Sequence, residues 1–147
     1  MKHKLVVSIL LLAGILLAAC GAPAAVESAP AEETVAVLKL TGPATELSLT
    51  ADDIAAMDQI EVEYTGKDGV ATMYTGALVT ELLPEISDAS TLTFIAVDGY
   101  SAEISGAELL PCTNCIVAFQ EEGGLRLVMP DFSGKLQVKD LVEINIK

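Results

Sequence analysis

From Thr34 to the C-terminus the chain changes its hydrophobic period every few residues, and no stretch holds a 3.6-residue repeat for more than about two turns. A core made from such a chain must be assembled from short strands joined by turns and very short helices. Residues 35–40 and 47–49 alternate as strands. Thr50, followed three residues later by Asp53, has the spacing of a capping arrangement for a short helix through Met57. Residues 59–65 place Ile60, Val62 and Tyr64 opposite Glu61 and Glu63, and Gly66-Lys67-Asp68-Gly69 turns that strand into residues 70–75 as a hairpin. Residues 77–83 have the spacing of a second helix, with Thr75 as cap and Pro84 as stop.

The second half continues in the same manner. An apolar strand over 91–97 turns at Asp98-Gly99 into 100–104, and Ser105 with Glu108 caps one helical turn through Leu110. Residues 116–119 and 125–129 flank Gln120-Glu121-Glu122-Gly123-Gly124, whose glycines supply the positive φ of a tight hairpin. A last strand over 141–146 is expected to set Leu141, Glu143 and Asn145 on one face and Val142, Ile144 and Ile146 on the other. The fold class implied is α+β: strand-rich mixed sheets with short helices.

Ahead of this domain stands a basic start, Met1-Lys2-His3-Lys4, and then an aliphatic run from Leu5 to Leu17 that ends in Leu17-Ala18-Ala19-Cys20. Residues 1–19 therefore read as a lipoprotein signal peptide. Cys20 is the expected lipidation site, and residues 20–33, rich in Pro and Ala, form a tether that cannot build a core. Residues 34–147 are the folded domain. Acyl chains gain about 0.8 kcal/mol per buried CH2, so two or more would anchor the chain through lipid to a membrane of the cell envelope, facing outside the cytoplasm.

Charge and absent residues narrow the chemistry. With Lys2 and Lys4 removed, 6 of the 8 basic residues remain against 21 acidic ones, a net charge of −15. Such a surface repels nucleic acid, so no nucleic-acid partner is expected. The one histidine is His3, inside the signal. The mature chain therefore has no Ser-His-Asp or Cys-His nucleophile, no His-ligated haem and no His-containing zinc site. Its chemistry is confined to carboxylates, thiols, tyrosines or a borrowed cofactor, and no resident metal site is read from the sequence.

Five segments, taken in order, carry a family resemblance: Leu47-Ser48-Leu49 with Asp53-Ile54, Tyr74-Thr75-Gly76-Ala77-Leu78 with Leu82-Leu83, Asp98-Gly99-Tyr100-Ser101, Leu125-Arg126-Leu127-Val128-Met129-Pro130, and Val138-Lys139 before the final strand. From about Leu38 to Ile146 the chain resembles the compact form of the sulfite-oxidase-type oxidoreductase molybdopterin-binding domain. The resemblance implies that fold and a molybdenum pyranopterin whose metal takes one Cys thiolate from the segment before the Tyr-Thr-Gly motif. Tyr64 stands there in this chain, and no Cys lies between Gly21 and Pro111. A phenol substitutes poorly for a soft thiolate. The resemblance places Asp98 and Tyr100 near the cofactor cleft, and Arg126 is the side chain suited to an anion. Tyr64, Asp98, Tyr100 and Arg126 are thus the candidate cofactor-contacting residues, although the residues themselves favour a domain that carries no cofactor.

Cys112-Thr113-Asn114-Cys115 is the remaining reactive motif. With Cys20 committed to lipid, Cys112 and Cys115 form a pair, read either as a structural disulfide or as a redox dithiol. An apolar strand follows the pair instead of a helix whose dipole would lower the first thiol's pKa, which favours the structural reading. Two classes of function follow: a non-catalytic binding or accessory module beside a membrane redox protein, or an oxidoreductase using either molybdopterin or the thiol pair. For anchoring, Cys20→Ala should move the protein from the membrane fraction to a soluble or unprocessed pool, read by fractionation and by N-terminal mass spectrometry. An unmodified mature protein starting at another residue would end the lipoprotein reading.

Overall fold

Two sheets divide the domain. The structure, a computed structural model, describes residues 36–44, 46–83 and 85–147; Cys20, the signal, the tether and Pro84 lie outside the described residues. In chain order the elements are β1 (Ala36–Thr41), β2 (Glu46–Thr50), α1 (Ala51–Ala55), β3 (Gln59–Thr65), β4 (Ala71–Leu78), α2 (Val79–Leu82), β5 (Thr91–Ala96), β6 (Ser101–Ser105), α3 (Gly106–Leu109), β7 (Ile116–Phe119), β8 (Leu125–Val128) and β9 (Leu141–Ile146), with a 3-10 turn at Gly134–Leu136.

The larger sheet has the order β2-β1-β9-β5-β6 and the smaller β3-β4-β7-β8. Every pairing is antiparallel except β1 with β9, which runs parallel with Leu40 opposite Ile144. The larger sheet contributes Leu38, Leu40, Leu92, Phe94, Ala102, Ile104, Leu141 and Ile144 to the main core. The smaller one contributes Ala77, Val117, Leu125 and Leu127 to the same cluster. Helices α1, α2 and α3 add Ile54, Val79, Leu82 and Leu109, so the α+β, strand-rich expectation holds.

Local chemistry explains the short helices. Thr50 and Ser105 form capping boxes with Asp53 and Glu108: each hydroxyl accepts from the N3 backbone N–H while the N3 carboxylate accepts from the cap N–H. The Thr50 hydroxyl, and then its backbone N–H, hold the Asp53 carboxyl below its ordinary pKa, and Ser105 does the same for Glu108.

Three expectations are corrected. The strand expected to end at Thr75 continues as β4 to Leu78, and the second helix is only Val79–Leu82, begun at Leu78 without a side-chain cap. Its sequence carries helical spacing, but pairing of Gly76, Ala77 and Leu78 with Ala118, Val117 and Ile116 claims those residues for the sheet. In β9 the simple alternation fails at a register shift, where Ile95 faces Glu143 but Ala96 faces Leu141. The bulge turns Leu141 into the core beside Ile144 and leaves Val142 38% exposed.

Gly76 is required by a close approach. A Cβ there would overlap the Val117 carbonyl oxygen and the Ala118 Cα, both backbone and unable to swing aside. Gly76→Ala should therefore destabilise the domain by about 1–3 kcal/mol, the cost typical of overpacking. Urea unfolding measures it, and a change under about 0.5 kcal/mol would show that β4 and β7 can separate freely.

A basic cleft on the outer face of the smaller sheet

One face of the smaller sheet packs in the core, and the other carries its own apolar cluster of Val62, Ile116, Ala118 and Val128, flanked by Ile60, Tyr64, Tyr74 and Leu78. Ile60, Gly76, Ala118 and Arg126 stand opposite one another in a single row across all four strands. Directly opposite residues share a face. The two middle members have little or no side chain, so the guanidinium of Arg126 passes over them from β8 to β4. There its Cζ sits 4.4 Å from the centre of the Tyr74 ring, and Nη1 donates to the Tyr74 hydroxyl at 2.7 Å.

Arg126 is only 8% exposed. Its Nε–H is buried without a hydrogen-bond partner among the described residues. Among those residues no carboxylate forms an ion pair with it; the ion pair that does form joins Lys39 to Glu46 at 3.1 Å. Burying a cation away from a carboxylate costs several kcal/mol, of which a cation–π contact returns about 0.5–2 kcal/mol.

Beside this arginine opens a cleft of about 420 Å³, between the β3–β4 turn and the segment following β8. Tyr64, Lys67, Tyr74, Arg126, Gln137 and Lys139 line it, with Asp68 as its carboxylate. The segment is held by local bonds. Gln137 bonds the Met129 backbone through both ends of its amide, Nε2 to the carbonyl at 2.5 Å and Oε1 from the N–H at 3.0 Å. Leu127 N–H donates to the Val138 carbonyl at 2.8 Å, and a bridge pairs Arg126 with Lys139. Lys67 folds across to Gly134, where a Cβ would stand 3.3 Å from the lysine Cε.

Of the four residues singled out from the sequence, the structure brings Tyr64 and Arg126 together in the cleft. Asp98 and Tyr100 are not among its lining residues. Asp98 accepts from the Tyr100 N–H at 2.9 Å within the β5–β6 turn. The Tyr100 hydroxyl donates to the Lys135 carbonyl at 2.7 Å, tying that turn to the segment that walls the cleft. Sequence reasoning missed Lys67, Tyr74 as partner of Arg126, Gln137 and Lys139. The signal for Lys67 was its place in the hairpin turn; nothing local in the sequence joined it to Lys139.

Cys112 and Cys115 are joined as a disulfide with Cα atoms 5.7 Å apart. The pair follows the C-terminal end of α3, where Cys112 N–H donates to the Leu109 carbonyl at 2.9 Å. A helix end of that polarity disfavours a thiolate. The disulfide lines a separate hollow with Glu108, Asp131 and Phe132, and not the Arg126 cleft.

Among solved structures, the chain matches the sulfane dehydrogenase SoxCD from Paracoccus pantotrophus with a TM-score of 0.61 at 16% identity, over 74% of this chain and 37% of that one. The two share a fold. No family model matches the chain, and no curated protein matches it. The likeness is one of fold, the strand-rich α+β architecture, and the chain spans well under half of the dehydrogenase.

The side chains of the cleft do not fit a thiolate-ligated molybdenum. Its polar side chains are two phenols, the Thr72 hydroxyl, two ammonium groups, a guanidinium, an amide and one carboxylate, and the described thiols are oxidised and elsewhere. For the arginine itself, Tyr74→Phe keeps the ring but removes the acceptor of Nη1, and should cost about 1–3 kcal/mol in chemical denaturation. Tyr64→Phe, whose hydroxyl makes no hydrogen bond among the described residues, should change stability by less than about 0.5 kcal/mol. Equal effects for the two variants would refute the pairing of Arg126 with Tyr74.

Proposed function

We propose that this chain is a lipid-anchored, extracytoplasmic binding module built on a molybdopterin-binding-like fold, acting without molybdenum beside a membrane redox protein. The observation that carries the reading is the side-chain inventory of the cleft. Tyr64 occupies the position that the family resemblance gives to the metal's thiolate, and among the described residues no thiol lines the cleft. A fold shared with a dehydrogenase does not by itself supply that chemistry. What the cleft retains is recognition: a concave site of ligand size, two tyrosines and three cations.

The Leu17-Ala18-Ala19-Cys20 motif and the Pro/Ala-rich segment after it support placement at the envelope surface, within reach of a membrane partner. The oxidised Cys112–Cys115 pair fits an oxidising compartment. The decisive measurement is elemental analysis of the full-length protein, produced with molybdenum-cofactor synthesis and export intact, together with fluorescence of oxidised pterin. Neither molybdenum nor pterin should approach one equivalent. Near-equimolar amounts of both would overturn this reading in favour of a molybdopterin enzyme with an unusual site.

A further inference from the structure

The mature chain has few cations, Lys39, Lys67, Arg126, Lys135, Lys139 and Lys147, and three of them, Lys67, Arg126 and Lys139, line one cleft. Of the six, Lys39 forms an ion pair, with Glu46 at 3.1 Å. Among the described residues none of the three has such a partner. Asp68, the carboxylate in the cleft, instead accepts the Val70 N–H at 3.2 Å within its own turn. Arg126 is more than nine-tenths buried and still has an unsatisfied Nε–H. A buried cation kept without a counter-ion, beneath two exposed lysines, is a site whose missing member is an anion.

We propose that this cleft binds the phosphate group of a small soluble solute, with Arg126 as the buried anchor and Lys67 and Lys139 closing over it. The proposal rests on the reading of the domain as a binding module and names its ligand class. The Nη1 bond to Tyr74 fixes the guanidinium, whose remaining N–H donors make no hydrogen bond among the described residues. Two lysines carried on separate segments give point charges that suit a doubly charged phosphomonoester better than a single carboxylate. A volume near 420 Å³ leaves room for a small organic body beside the phosphate, against Tyr64 and Tyr74. The strongly acidic remainder of the domain opposes approach to anionic lipid, which favours a soluble solute over a phospholipid headgroup.

The chain has no Trp and three Tyr, two of which line the cleft, so tyrosine fluorescence reports directly on occupancy. The full-length lipoprotein in neutral detergent micelles is titrated with inorganic phosphate, glycerol 3-phosphate and, as blank, glycerol. Both phosphates should give saturable changes that weaken as salt rises, and glycerol none. Lys67→Gln combined with Lys139→Gln, both exposed, should leave the fold intact and raise the phosphate Kd by about tenfold or more. Arg126→Gln should abolish saturation. No saturable response, a Kd unchanged in the lysine double variant, or a response only to phosphatidylglycerol vesicles would overturn the site. Molybdenum analysis of the same preparation separates the two readings: metal-free protein that ignores phosphate refutes the anion site alone, whereas stoichiometric molybdenum refutes the module.

Discussion

The approach of β7 to β4 at Gly76 is the constraint on which the site depends. Without a side chain at that position, the two backbones close to a separation that no other residue tolerates, and Ala118 continues the bare strip. Arg126 can then lie flat across the sheet instead of extending into water, and the Tyr74 ring is where it stops. The position of the charge is therefore set by the absence of side chains two strands away. A larger residue at either place would push the guanidinium outward, where its field would be screened and its hydrogen bond to Tyr74 lost.

That arrangement also explains why the smaller sheet is apolar on both faces. Leu125 and Leu127 face the main core, while Val128, Ile116 and Val62 form a second cluster beneath the cleft. A charge held at the margin of an apolar cluster has few ways to be neutralised from within. The 129–139 segment packs Met129 and Val138 into the main core and brings Lys139 to the cleft. Its shape comes from the amide of Gln137, which replaces a turn of regular backbone pairing with two bonds to Met129.

Much of the fold was legible in the sequence because its signals are local. Thr50 with Asp53 and Ser105 with Glu108 announce their helices within four residues. Gly123 and Gly124 adopt the positive φ values, 91° and 85°, that their hairpin demands. Where the sequence misled, a distant partner had decided the outcome. Leu78 has a helical neighbourhood but pairs with Ile116, and Val142 sits in a clean alternation that the bulge opposite Ile95 and Ala96 breaks. The same division holds for the cleft. Tyr64 and Arg126 stood out by residue type and by resemblance to the molybdopterin-binding domain. Lys67 and Lys139 belong with them only because a turn and a returning segment meet in space, which no spacing rule encodes.

The parallel pairing of β1 with β9 bears on how such a domain comes into being. The last strand of the chain occupies the middle of the larger sheet, with β1 on one side and β5 on the other. Until its six residues are free of whatever machinery synthesises or moves the chain, the sheet is two unjoined halves, each with an open apolar edge. Closing it joins the earliest strand to the latest, the most distant contact the domain makes, and contacts of that kind form slowly. A polypeptide that cannot complete its core early stays threadable for as long as its C-terminus is held back. Under the proposed placement outside the cytoplasm, late closure would keep the chain fit to travel.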